Sequence, residues 1–194
     1  GNGYQEAPEI AYGEYVTGVG GGVCQVSTTL YQAILRSRLK VEKRECHAIP
    51  SNYAPMGQDA TVSDNGADFI FRNDTSYPVY IRARITTGTD RSKTKRCEIS
   101  IYGRSLPDGI RYTLESRQLQ EIQPGPPKYV ADKKHEYVYY TDEEVEYLKA
   151  RTGYKVEVYL VEQKDGVEQD RRLITTDVYN PRATVIYRGT ESRD

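Results

Sequence analysis

Apolar positions recur at Val26, Leu30, Ala33 and Ile34, with Val23 leading in, and this single stripe predicts an amphipathic helix over 24–37. Cys24, Ser27, Thr28 and Tyr31 fall on a neighbouring, more polar face of it. Upstream, 1–22 reads as Gly- and Tyr-rich loops with one short strand. Downstream, 39–47 reads as a polar extended strand in which Cys46 and His47 point to opposite faces. A loop is predicted at 50–57, and strand signals resume at 60–63 and 68–72. Tyr77, Val79, Ile81, Ala83 and Ile85 alternate with Pro78, Tyr80, Arg82 and Arg84, the pattern of a half-buried strand. A polar hairpin loop at 86–95 leads to a partner strand whose inward face carries Cys97, Ile99 and Ile101, which makes Cys97 a small core residue.

The pattern changes after 103. Gln123-Pro124-Gly125-Pro126-Pro127 is a rigid, extended breaker. Thr141-Asp142-Glu143-Glu144 has the form of a capping box, and Val145 and Leu148 follow on one face, which predicts a helix over 141–150 stopped by Gly153. Tyr154, Val156, Val158 and Leu160 alternate as a strand, Lys164-Asp165-Gly166 reads as a hairpin turn, and strands follow at 171–178 and 184–188. The expected architecture is α+β. A cysteine-bearing helix packs on a mostly antiparallel sheet over 1–103, a linker covers 104–111, and a small β-rich module covers 112–190.

Composition narrows the function classes. The 194 residues carry a formal net charge of -1, which leaves no electrostatic footprint for nucleic acid and no polybasic strip for anionic lipid. The 18 tyrosines fit sheets with half-wet faces. The three cysteines show neither a CxxC nor a zinc-ribbon spacing. No apolar run approaches a membrane span, and the abrupt Gly1-Asn2-Gly3 start reads as that of a fragment.

The chemistry concentrates at Gly20-Gly21-Gly22-Val23-Cys24. Glycines running into a cysteine that opens a helix present a thiol where the helix dipole and free N–H groups favour the thiolate. Gly21 and Gly22 would let a substrate approach the main chain, with Gln25, Ser27 and Thr28 as neighbouring hydrogen-bonding groups. A buried, inert Cys24 is the competing reading. A thiolate nucleophile needs a base, and the chain has two histidines. His135 lies in a solvated charge run, which leaves His47 as the partner by elimination. Asp59, on the next strand signal, is the geometric choice for the group that orients His47, with Asn52, Asp64 and Asp68 as competitors. The Cys24 N–H would stabilise an oxyanion, seconded by Gln25 or the glycine-loop amides. A zinc site from Cys24, Cys46 and His47 is disfavoured, because Cys46 and His47 diverge and no fourth ligand is evident. No metal and no cofactor are expected.

Ordered blocks then carry a resemblance. Gly20 to Tyr31, then His47 with Pro50, Tyr53 and Pro55, then Gly57-Gln58-Asp59-Ala60-Thr61-Val62, then Phe71-Arg72-Asn73-Asp74-Thr75 and Tyr77-Pro78 resemble the VanW family over roughly 1–103, with part of its N-terminal side missing. Gly153-Tyr154-Lys155-Val156-Glu157-Val158-Tyr159, Lys164-Asp165-Gly166, Tyr179-Asn180-Pro181 and Gly189-Thr190 are similar to a G5 domain. The resemblance implies an extracytoplasmic setting, at the cell wall or membrane, for a full-length chain that is exported or membrane-anchored. It implies peptidoglycan stem peptides as partners and a cysteine-dependent L,D-transpeptidase activity that forms 3→3 cross-links. Cys24 then takes the nucleophile role and His47 the base role, with Tyr53 among the substrate-facing positions. The alternatives are a cysteine peptidase or carboxypeptidase of wall peptides and a non-catalytic wall-binding module.

Overall fold

The computed structural model describes residues 3–11, 13–64, 66–87 and 95–193. Among them one helix and twelve strands follow in the order β1 (Glu6–Ala11), β2 (Glu14–Val19), α1 (Val23–Arg36), β3 (Lys40–Lys43), β4 (Ile70–Arg72), β5 (Tyr80–Thr87), β6 (Lys95–Tyr102), β7 (Ile110–Ile122), β8 (Lys128–Ala131), β9 (Glu144–Leu148), β10 (Gly153–Lys164), β11 (Val167–Tyr179) and β12 (Val185–Arg188). The α+β expectation is overturned: strands hold 49% and helix 8%, so the chain is mostly β. The strands are spread over small sheets of two or three, β1–β2, β3–β4, β5–β6, β11–β10–β7 and β8–β12–β9, rather than gathered into one sheet that carries the helix.

Two compact units divide the chain. The first joins Gly1–Arg117 to Val156–Asp177, and the second joins Gln118–Lys155 to Val178–Asp194. In the first, α1 buries Thr28, Tyr31, Ile34 and Leu35. Tyr31, Leu35 and Ala60 form its core, with Val41, Phe69, Leu114 and Ile174 packed around them. Val156, Val158, Leu160 and Val161 of β10 are also buried there. Each such aliphatic side chain contributes roughly 1.5–3 kcal/mol when fully buried. The β10–β11 turn at Asp165 and Gly166, both at positive φ, is the two-residue hairpin that the sequence predicts.

Local expectations met several corrections. The segment 1–22 holds two paired strands, not one, with Glu6 opposite Val19 and Ala11 opposite Glu14. The strand signal at 60–63 is irregular chain: Thr61 and Ser63 donate singly to the Glu45 and Ala67 carbonyls, and Ala60 bonds to side chains instead of a ladder. Ser27 donates to the Ala60 carbonyl at 2.6 Å, and the Ala60 N–H donates to the Thr28 hydroxyl at 3.0 Å. β5 and β6 pair as expected, but most of their side chains are exposed, and Cys97 is only half-buried. Of the loop expected at 86–95, residues 88–94 lie outside the described residues.

In the second unit, β12 pairs in parallel with β8 and antiparallel with β9. β9 replaces the helix expected at 141–150. The Glu144 carboxylate that would close a capping box instead accepts Arg188 Nε–H at 2.6 Å, and the neighbouring Glu143 accepts the Tyr139 and Tyr140 N–H groups at 3.0 Å each. The alternation Glu144-Val145-Glu146-Tyr147 then serves a strand beside β12. Gly153, expected to stop that helix, opens β10, where a Cβ would meet the Tyr179 carbonyl at 2.5 Å.

Candidate active site

Gly22 caps α1 in the left-handed region, at φ 96°, a conformation that glycine adopts without strain. It turns the chain so that Cys24 lies in the first turn of the helix. The Val23 and Gln25 amides are taken up by the Gly20 and Gly22 carbonyls at 3.1 Å each. Among the described residues the Cys24 amide has no such partner. Of the donors considered for an oxyanion, the Cys24 N–H is open and the Gln25 N–H is engaged.

His47 and Asp59 meet in the interior. Asp59 Oδ2 accepts both the backbone N–H of His47, at 2.7 Å, and its ring Nδ1–H, at 2.6 Å. An ionised carboxylate only accepts, so this contact places the proton on Nδ1 and leaves Nε2 for the groove side. The Tyr53 hydroxyl lies 3.3 Å from Nε2, and its ring meets the imidazole edge to face. The Cys24 thiol lies 3.3 Å from the Val62 carbonyl and 3.7 Å from the Thr61 hydroxyl, and it shares the wall of one cavity with His47.

The electrostatics follow from these contacts. Burial opposes charge on His47, but the Asp59 carboxylate and the Cys24 sulfur outweigh it and push the imidazole up to about 9. Burial raises the Cys24 thiol most, but His47, the Val62 backbone and the Thr61 hydroxyl together outweigh it and hold the thiol below its ordinary value. Both shifts favour a thiolate–imidazolium pair. Burial pushes Tyr53 up to about 12, so its hydroxyl stays protonated.

Cys24 and His47 line one cavity of about 1600 Å³. Of the expected substrate-facing residues, Gly21, Gly22, Gln25 and Tyr53 line it as well. Ser27 and Thr28 do not: their hydroxyls bind the Ala60 backbone and fix the irregular segment beside the helix. Gly21 is also a point of close approach, where a Cβ would meet the Ala7 backbone at 2.6 Å. Asp64 and Asp68 line the cavity without bonding His47, and Asn52 lines it too. Cys46 faces a separate pocket of about 520 Å³ with Arg44 and Asp177. Among the described residues no cluster of His, Cys, Asp and Glu has the form of a metal site.

Sequence reasoning missed Arg44. Its guanidinium is 6% exposed and donates to the Asp59 carbonyl at 2.6 Å, the Gly57 carbonyl at 3.0 Å, Asp59 Oδ1 at 3.2 Å and Asp177 Oδ2 at 2.6 Å. In the chain it sits in Lys43-Arg44-Glu45, which reads as a solvated run, and Asp177 is 133 residues away. No local pattern announces that pairing.

Two stretches of the chain match known families. Residues 1–94 match the family described as VanW like protein, and residues 122–191 match the G5 domain family. YoaR of Bacillus subtilis strain 168, an uncharacterized protein, is 49% identical over 82 residues, which cover 42% of this chain and 27% of that one. The vancomycin B-type resistance protein VanW of Enterococcus faecalis strain ATCC 700802 / V583 is 32% identical over 85 residues, covering 40% and 31%. The chain thus spans under a third of either relative's length. Among solved structures, an IgA1 protease G5 domain covers 43% of this chain and 92% of its own, at 16% identity and a TM-score of 0.30.

Proposed function

We propose that this chain, which carries a VanW-like domain followed by a G5 domain, is a cell-wall enzyme: an L,D-transpeptidase that uses Cys24 to cross-link peptidoglycan stem peptides. The observation that carries the reading is a His47–Asp59 pair that shares with Cys24 the wall of a cavity large enough for an extended peptide. The domain pair and the vancomycin-resistance relative support a wall setting outside the cytoplasm. No helix among the described residues is long and apolar enough to cross a membrane.

The chemistry follows from the protonation states. The Cys24 thiolate attacks the carbonyl of the third stem residue, and the tetrahedral oxyanion accepts the Cys24 N–H. His47 Nε2–H gives its proton to the departing amine of the terminal D-alanine, and a thioester remains on Cys24. His47, now neutral, takes a proton from the side-chain amine of a second stem. That amine attacks the thioester, the C–S bond breaks, and the thiolate and imidazolium are restored. Asp59 stays ionised throughout and stabilises the imidazolium through Nδ1.

The test is incubation of the chain with defined tetrapeptide stems, followed by mass analysis. Cross-linked dimers with release of D-alanine are expected, and Cys24→Ala should yield none. Trimmed tripeptides alone would mean transfer to water, a carboxypeptidase. An unreacted substrate would leave a wall-binding module and end the enzymatic reading.

A further inference from the structure

Charge balance around Asp59 is unusual for a single acid that orients a histidine. Its two oxygens serve two cations: Oδ2 holds His47, and Oδ1 holds Arg44. Asp59 and His47 are 1% and 4% exposed, and Arg44 is nearly as buried, so water screens none of them well. A buried guanidinium sharing one carboxylate with an imidazolium would compete for its charge and make His47 easier to deprotonate. Asp177 changes that. Its Oδ2 takes Arg44 Nη1 at 2.6 Å, while its Oδ1 accepts the Thr175 hydroxyl at 2.9 Å. Also near Arg44 are the ring of Tyr31, 5.0 Å from the guanidinium carbon, and Glu45 and Cys46, which line the same pocket. Around His47 stand Cys24, Tyr53 and Asp59.

We propose that Arg44 and Asp177 are positioning residues of this site: Asp177 neutralises Arg44, so that Arg44 can clamp Asp59 without withdrawing its charge from His47. The inference rests on the acyl-transfer reading for its catalytic consequence, but its physical content is separate. The fork of Arg44 grips the Gly57 and Asp59 carbonyls and one Asp59 oxygen at once, which fixes the plane of the carboxylate. Asp177 comes from β11, inside the stretch that matches the G5 family. That stretch therefore supplies part of the site's scaffold within the same compact unit.

The test titrates the His47 imidazole by NMR in the full chain and in Asp177→Asn, Asp177→Glu and the double variant Arg44→Gln/Asp177→Asn. Asp177→Asn should lower the His47 midpoint by about one pH unit and slow Cys24 alkylation at pH 7 several-fold. Asp177→Glu should restore most of the shift. The double variant, which removes both buried charges, should bring the midpoint back toward that of the parent. A folded Asp177→Asn with an unmoved His47 overturns the proposal, as does a double variant that stays as low as the single. If Asp177→Asn does not fold, Arg44→Gln removes the guanidinium and leaves both carboxylates, so the His47 midpoint should rise, and a midpoint that stays or falls overturns the proposal equally. These readouts need no turnover. A parent chain that makes no product would sink the transpeptidase reading and leave the charge-balance result standing. In an active chain, Asp177→Asn should lower kcat and leave KM within twofold.

Discussion

Two cysteines flank one short segment, and their surroundings pull them apart. The chain at Arg44-Glu45-Cys46-His47 turns His47 toward the large cavity with Cys24 and turns Cys46 toward the small pocket with Arg44 and Asp177. Burial raises both thiols. At Cys24 His47, with the Val62 backbone and the Thr61 hydroxyl, reverses the effect, whereas at Cys46 the Asp177 charge adds to it and pushes the thiol up to about 11. Arg44, the cation on the Cys46 side, is committed to two carboxylates. The contrast teaches that partial burial does not decide whether a thiol is reactive. What decides is whether the nearest cation has charge left to share.

The strongest break of this comparison is deletion of each sulfur in turn. Cys24→Ala should reduce cross-link formation from defined stems by at least about 10⁴-fold, while Cys46→Ala, in a separate pocket, should change it less than about twofold. Equal losses would erase the distinction. Alkylation with iodoacetamide at pH 7, mapped by mass spectrometry, comes next. With one thiol lowered and the other near 11, Cys24 should react about a thousandfold faster than Cys46. Comparable rates would mean that His47 does not activate Cys24.

Asp59→Asn probes the hinge between the two sides, since it keeps the shape and removes the charge. Turnover should fall about 100-fold or more, and the His47 midpoint should drop below about 9. An unchanged midpoint would remove Asp59 from the site. The pH profile gives a smaller but sharper reading. His47 has a raised value, so its proton is present below about 9 and is lost as pH rises through it. Acylation should therefore decline about tenfold per pH unit above that point, and a rate still climbing at pH 10 would contradict an imidazolium acid. Gly57→Ala has the mildest expected effect on chemistry. Its φ of +80° and a Cβ 2.5 Å from Val158 Cγ2 should cost about 2 kcal/mol of stability in denaturant titration. The Cys24-to-Cys46 reactivity ratio in the folded fraction should stay as it is.

Much of the site was legible because the chain is poor in histidine. With two histidines and one in a charge run, His47 followed from Cys24, and the 12-residue step to Asp59 matched the contact the structure makes. The helix was legible from its stripe, to within one residue at each end of 24–37. Other parts were hidden for physical reasons. Ser27 and Thr28 looked like substrate ligands because a hydroxyl on a helix face carries no mark of its partner, and theirs is the Ala60 backbone. The motif at 141–144 looked like a cap because Thr and Glu at that spacing satisfy N–H groups, but Glu144 takes Arg188 instead, and it is Glu143 that accepts N–H groups, in a loop. Arg44 and Asp177 were out of reach of any window along the sequence, since their pairing exists only once distant strands have met.

Family boundaries and packed units do not coincide here, and the order of synthesis gives that mismatch a cost. The VanW-like match ends at residue 94, yet Ile174 packs against the core around Tyr31, and Asp177 closes the charge balance behind Asp59. A growing or threading chain carries Cys24 and His47 long before residue 177 is available. Until then Arg44 has Asp59 but not its second counter-ion, and contacts of such long sequence separation form late and slowly. The nucleophile's setting would thus mature only after residue 177 has emerged, so a product ended before it would display the thiol without the setting that makes it useful.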